Sequence, residues 1–205
     1  MKPSSRLIIM LPNSDQVDNV LFSDNGIVSE INPDDLILEM STGNILQLER
    51  QALRIKSYKA NFIDAPVCLS PAEAETGQLI ALVGGDLGAL EKAEKIIVSL
   101  SQRVIHPGPS GFGLRLKLIN NYMSMVNHVL TGEVRALAKA IGLDRTMTGD
   151  LLQNTADGCG QLRTNYPKKC LNGIPQPIFP LTWALKTYRC LLSCYGNCGT
   201  SPHLA

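Results

Sequence analysis

The stretch Gly111-x-Gly113-x-x-x-Lys117-x-x-Asn120-Asn121 is where the sequence gathers groups able to do chemistry. Spacings of three and four residues bring Lys117, Asn120 and Asn121 onto adjoining parts of one helical face. A lysine in the first turns of a helix, behind a glycine-rich loop, acts as a general acid when a partly dry pocket tunes its amine. Asn121 can donate a hydrogen bond to a substrate oxygen. The plain alternative is a solvated lysine with asparagines facing water, and spacing alone leaves both open. Leu11-Pro12 and Ser41-Thr42 each sit where an apolar, strand-like run gives way to a helix start. In open parallel sheets ligands bind at the carboxyl ends of the strands. Thr42 could bond a ribose or an amide there, while simple helix capping explains the same residues.

Other candidates carry less. No GxGxxG occurs, and neither Gly84-Gly85 nor Gly111-x-Gly113 has that spacing, so the 205 residues contain no recognisable pyrophosphate loop. Cys190, Cys194 and Cys198 match neither the paired CxxC of zinc sites nor the ferredoxin run, and no metal site is expected. His106, His128 and His203 form no ligand set.

The elements that must position these groups follow from periodicity. Leu7–Leu11 reads as a strand buried on both faces, and Ser14 as the cap of a short helix carrying Val17, Val20 and Leu21. Leu36–Met40 is a second strand, followed by a helix with Ile45, Leu48, Ala52 and Ile55 on one face. Phe62–Val67 and Leu79–Val83 are further strands. Asp86 opens a helix through Leu90, Ala93, Ile97 and Leu100, and Val104–His106 is a last short strand. Such alternation argues an α/β fold with a parallel sheet. A hinge-like loop, Pro107–Gly111, marks a domain boundary. From Leu114 to Ile141 apolar residues recur every three or four positions, one helix of roughly 40 Å at ~1.5 Å per residue, ended by Gly142. Asp144–Gln153 suggests another helix.

Composition narrows the classes. Apolar residues make up 44% and charged ones 18%, an ordinary globular mixture, and a net charge of +1 argues against a nucleic-acid binder. No apolar run approaches the ~20 residues of a membrane span, and the opening segment is too short for a secretory signal. The expected location is the cytoplasm, with six cysteines as free thiols. From Ile178 onward the chain has no Asp or Glu, the only Trp and half of the cysteines.

Met10-Leu11-Pro12, Met40-Ser41-Thr42, Asp64-Ala65-Pro66-Val67, Gly84-Gly85 and Gly111 to Asn121 occur in an order that resembles the β-hydroxyacid dehydrogenase family, of the 3-hydroxyisobutyrate dehydrogenase and sulfolactaldehyde reductase type. The resemblance covers about residues 6 to 179. It implies a Rossmann domain, a long helix and an all-α domain. It implies hydride transfer between NAD or NADP and a short β-hydroxy acid or its aldehyde, with a homodimer through the helical part. It puts the family's proton-donating lysine on Lys117, substrate contacts on Asn120 and Asn121, and cofactor contacts on Leu11, Pro12 and Thr42. The family's serine and two glycines that cradle the substrate's acid group are here Cys68, Leu69 and Ser70, the remaining substrate-contact positions.

Measured against that pattern, the expected organisation is a partial NAD(P)-binding domain at 1–109 lacking its first βαβ unit, a partial helical domain at 110–179, and a disordered tail at 180–205. One nucleotide out of phase, a back-translation of Leu181–Tyr188 can yield the family's Asp-Leu-x-x-Lys-Asp helix, so a frameshift between about Pro177 and Leu181 is expected. The resulting expectation is a family oxidoreductase inactive as this fragment. The alternatives are activity only with a partner chain supplying a glycine loop, or a non-enzymatic thiol- or metal-binding protein.

Overall fold

The computed structural model describes residues 5–155, 182 and 185–190. The frameshift expected between Pro177 and Leu181, and the helical stretch 156–179, lie outside them. Residues 185–190 are helical with Thr187 buried, where the sequence suggested a disordered tail. No described helix is long and apolar enough to cross a membrane.

Strands β1 (Arg6–Ile9), β2 (Leu36–Glu39), β3 (Asn61–Asp64), β4 (Val67–Cys68), β5 (Leu79–Gly84) and β6 (Ser101–Gly108) form one six-stranded, mainly parallel sheet. β1, β2 and β3 run parallel in that order, and β5 pairs parallel with β6. Between them β5 runs antiparallel to both β3 and β4, a departure from the all-parallel expectation. The reason is the connection. Leu69–Gln78 holds only a five-residue helix, α3 (Pro71–Glu75), and a parallel crossover needs a dozen residues or more. The fold is the α/β, Rossmann-like arrangement anticipated, with helices α1 (Ser14–Phe22), α2 (Ile45–Ser57) and α4 (Leu87–Leu100) flanking the sheet.

The core explains the register. β2 is buried along its whole length, and Leu36 and Leu38, two residues apart and so on one face, join Ile63, Ala65, Ala81 and Val83. α4 closes that cluster with Ala89, Ala93 and Ile97, whose small alanines let the helix approach the strands. β1 corrects the expectation of burial on both faces: among the described residues it pairs with β2 alone, Ile9 is buried, and Ile8 is 47% exposed. α1 and α2 bring Val17, Leu21, Leu48 and Ile55 into the interior. They are cross-tied by Ser14 Oγ accepting from the Asn44 amide at 2.8 Å and by Gln47 and Gln51 donating to Asp15 and Asp18. Ser14 is therefore engaged across to α2. Asn13, one residue earlier, caps α1 by accepting from the Gln16 amide.

β6 is longer than the expected Val104–His106 and absorbs Pro107; among the described residues β5 is its one sheet neighbour, and an edge strand tolerates a missing N–H. The 29-residue helix α5 (Phe112–Ala140) follows, about 43 Å long at 1.5 Å per residue. It stops where Gly142 takes φ +82 and the amides of Gly142 and Leu143 return to the carbonyls of Lys139 and Ala138. A second short helix, α6 (Arg145–Asn154), is capped by Asp144. The chain divides into two compact units after Ile119. The first turns of α5 belong with the sheet because Leu114 and Leu118 are fully buried there.

Candidate active site

A buried carboxylate fixes the start of α5. Asp64, the last residue of β3, accepts from the Gly111 amide through Oδ1 at 2.7 Å and from the Leu114 amide through Oδ2 at 2.8 Å, with Gly113 adding a further backbone contact. The first amides of any helix lack internal partners and carry the positive end of its dipole, so a carboxylate from another strand satisfies both needs. Burial pushes the Asp64 carboxyl above its ordinary value, and those amide hydrogen bonds oppose the shift.

This junction is also where the two glycine pairs act. A Cβ on Gly113 would strike the Leu82 carbonyl and Asp64 Oδ2, and one on Gly84 would lie 2.8 Å from the Gly113 nitrogen and the Pro109 oxygen. Gly84 and Gly113 let β5 and α5 touch backbone to backbone around Asp64. Sequence reasoning noted both glycines and Asp64 as pieces of a pattern but missed their joint task. Paired glycines at a spacing that suits no phosphate loop were the available signal.

Lys117 lies one turn beyond this junction, half-buried, with Nζ 3.9 Å from Cys68 Sγ. Burial lowers its amine below the ordinary lysine value, while the Cys68 sulfur pulls in the opposite direction. Cys68 is set by β4, whose residues pair with β5 at Val67↔Ala81 and Cys68↔Ile80. Leu69 then turns the chain at φ +87, a left-handed conformation that favours glycine, leaving its side chain 54% exposed. Ser70 heads α3: its amide and its hydroxyl both donate to Glu73 Oε2. The structure thus brings Cys68 to Lys117 and ties Ser70 to a helix start.

Leu11, Pro12 and Thr42 follow the carboxyl ends of β1 and β2. The Leu11 amide donates to Ser41 Oγ at 2.8 Å and the Ser41 amide donates to the buried Glu39, which fixes the two strand ends together. Pro12 is exposed, Leu11 and Thr42 are half-buried, and the Thr42 hydroxyl makes no hydrogen bond among the described residues. A threonine hydroxyl and an exposed apolar turn on this edge fit the sugar and ring of one end of a dinucleotide. Asn120 and Asn121 continue α5 in the second unit, exposed and half-buried respectively. His106 bonds the Gly85 carbonyl and His128 the Ser124 carbonyl. Among the described residues no group of three or more His, Cys, Asp or Glu is placed to hold a metal ion. Cys194 and Cys198 lie outside those residues.

Residues 1–108 match the family model described as the NAD binding domain of 6-phosphogluconate dehydrogenase. The chain is 36% identical to 3-sulfolactaldehyde reductase of Escherichia coli over 185 residues, 90% of this chain and 62% of that protein.

The chain belongs to the β-hydroxyacid dehydrogenase family.

As a member of that family, whose cofactor is NAD or NADP, it is also 32% identical to the NAD-dependent L-serine dehydrogenase of Pseudomonas aeruginosa, over 78% of this chain and 54% of that one. Its fold superimposes on 3-hydroxyisobutyrate dehydrogenase of Mycobacterium tuberculosis with a TM-score of 0.85 at 22% identity, covering 98% of this chain and 70% of that one. This β-hydroxyacid dehydrogenase chain therefore spans under two thirds of the length of the curated relatives it matches.

Proposed function

We propose that this chain serves an NAD(P)-dependent interconversion of a short β-hydroxy acid and its aldehyde, of the sulfolactaldehyde or 3-hydroxyisobutyrate type, with Lys117 as the proton-transferring group. The observation that carries the reading is a desolvated lysine held by a pinned helix at the carboxyl edge of the sheet. When bound, the nicotinamide cofactor supplies or accepts the hydride. Lys117 gives a proton to the carbonyl oxygen in reduction and takes one from the hydroxyl in oxidation. A lowered amine pKa suits both directions, since proton transfer is most effective when the group's pKa lies near the working pH. Thr42, Leu11 and Pro12 hold the nicotinamide end. Asn120 and Asn121, the latter four residues beyond Lys117 on the same helix, are substrate contacts of this reading, and so are Cys68 and Leu69. Ser70 is left out of this role because Glu73 holds it. The proposal includes a cytoplasmic location and a homodimer through the helical part.

The test is NADH and NADPH oxidation with 3-sulfolactaldehyde and related short acid aldehydes, comparing the chain with Lys117→Met. In keeping with the sequence expectation of inactivity as this fragment, the chain alone is expected to turn over little or nothing, and whatever turnover it has falls about 10²–10⁴-fold in the variant, the range general acids supply. Equal turnover by the variant overturns the role of Lys117. A second reading is favoured by the apolar Ile8 on the edge strand and by the lack of a GxGxxG in the sequence: turnover requires a glycine loop from a partner chain. Under it the chain alone shows no saturable NADH binding, while the lysine still titrates low.

A further inference from the structure

We propose that Cys68 and Lys117 form an oxidation-dependent covalent pair, in which a peroxide converts the thiol to a sulfenic acid and the Lys117 amine then bonds to the sulfur as a sulfenamide. The two side chains meet at 3.9 Å from Sγ to Nζ, and Cys68 is a free thiol. Both are half-buried, so a molecule the size of hydrogen peroxide can reach the sulfur. Neither partner is on a loose segment. Cys68 is locked by the β4–β5 ladder and by the Leu82 amide donating to the Pro66 carbonyl at 2.9 Å. Lys117 is fixed by the Asp64 cap one turn earlier in α5. Holding two reacting groups in contact replaces a bimolecular encounter by a unimolecular step.

The steps balance. The thiol and hydrogen peroxide give the sulfenic acid and water: sulfur is oxidised by two electrons and the peroxide O–O bond breaks. The unprotonated amine then attacks the sulfur, a nitrogen–sulfur bond forms, the sulfur–oxygen bond breaks, and the hydroxyl leaves as water with one amine proton. Sulfenic acids condense with a backbone nitrogen to a sulfenamide, and the Lys117 amine takes that nitrogen's place here. Burial of Lys117 raises the fraction of amine that carries a free lone pair at neutral pH. Two equivalents of an added thiol reverse the bond, returning thiol and amine and leaving a disulfide of the reagent. If Lys117 is the proton donor, as the reading under Proposed function has it, the bond shuts off the reaction reversibly.

Peptide mapping of the full chain after treatment with one equivalent of hydrogen peroxide tests this. The expected product joins the Cys68 peptide to the Lys117 peptide, two hydrogens lighter than their sum and uncleaved by trypsin at Lys117. It vanishes with dithiothreitol and is absent from Cys68→Ser and Lys117→Met. The proposal is overturned if Cys68 is recovered as a dimedone adduct or a sulfinic acid with the Lys117 peptide free. It is equally overturned if Cys68 is found in a disulfide with another cysteine. The readout needs no turnover, so an inactive chain still answers. A bond that forms without slowing an active chain leaves the covalent pair standing and removes Lys117 from the reaction instead.

Discussion

Two stretches of backbone bring groups to Lys117, and they are built in opposite ways. At the start of α5, the demands are met by residues from three elements: Asp64 of β3 takes the orphan amides, Gly84 and Gly113 remove the side chains that would keep β5 and α5 apart, and Leu114 and Leu118 are buried beneath. At the end of β4, the chain runs Cys68-Leu69-Ser70 through a conformation suited to glycine, with an exposed leucine and a serine drawn into capping α3. The contrast separates two tasks. The helix junction fixes where the lysine is. The loop decides what the lysine meets, and there this chain has a thiol and an apolar side chain.

Substitutions sharpen that contrast. Asp64→Ala should be the most damaging, because it strands buried amides and opens a void. A loss of about 3 kcal/mol is expected, seen as a fall in Tm of about 6–12 °C at roughly 2–4 °C per kcal/mol for a chain this size. An unchanged Tm would remove Asp64 from its role as the pin. Gly113→Ala comes next at about 2 kcal/mol, since the added carbon meets backbone atoms that have no rotamer to retreat into. Denaturant titration at constant m-value reads it. Leu69→Gly should act in the opposite direction. Relief of a left-handed conformation worth about 1–3 kcal/mol outweighs the extra chain entropy of glycine, for a net gain of about 0.5–1 kcal/mol. Destabilisation by this change would show that the exposed leucine is packed in solution and that the loop is built as tightly as the junction.

How the sequence disclosed the two regions differs for a physical reason. Periodicity revealed α5, α4 and the strands because each buries one repeating face. Lys117 stood out because a helix start after glycines is a local signal. The role of Asp64 was hidden, since its partners lie 47 and 50 residues away and nothing nearby in the chain marks a cap supplied from another element. The division at Pro66, where β3 gives way to the antiparallel β4, leaves no mark in the sequence because Val67 extends the apolar run of Phe62–Val67 into what reads as one strand. Ser14 and Asn13 are equally good caps by type, and only the approach of Asn44 from α2 decides between them. The Leu69 conformation is likewise a property of the β4–α3 turn and not of leucine.

On the proposed reading, the junction delivers a lysine whose amine is tuned by burial for proton transfer. The most direct measurement is the titration of Lys117 by NMR in protein carrying 13C-labelled lysine, assigned with Lys117→Arg. Desolvation disfavours the ammonium form, so the midpoint should fall below the ordinary lysine value of about 10.4. Because the Cys68 sulfur raises it, the midpoint should fall further in Cys68→Ala. On the proposed reading, aldehyde reduction, which needs the ammonium, declines as pH rises through that lowered midpoint, while hydroxy-acid oxidation gains. A midpoint at or above the ordinary value, unmoved by Cys68→Ala, would contradict the account, leaving Lys117 a solvated lysine at the start of a well-anchored helix.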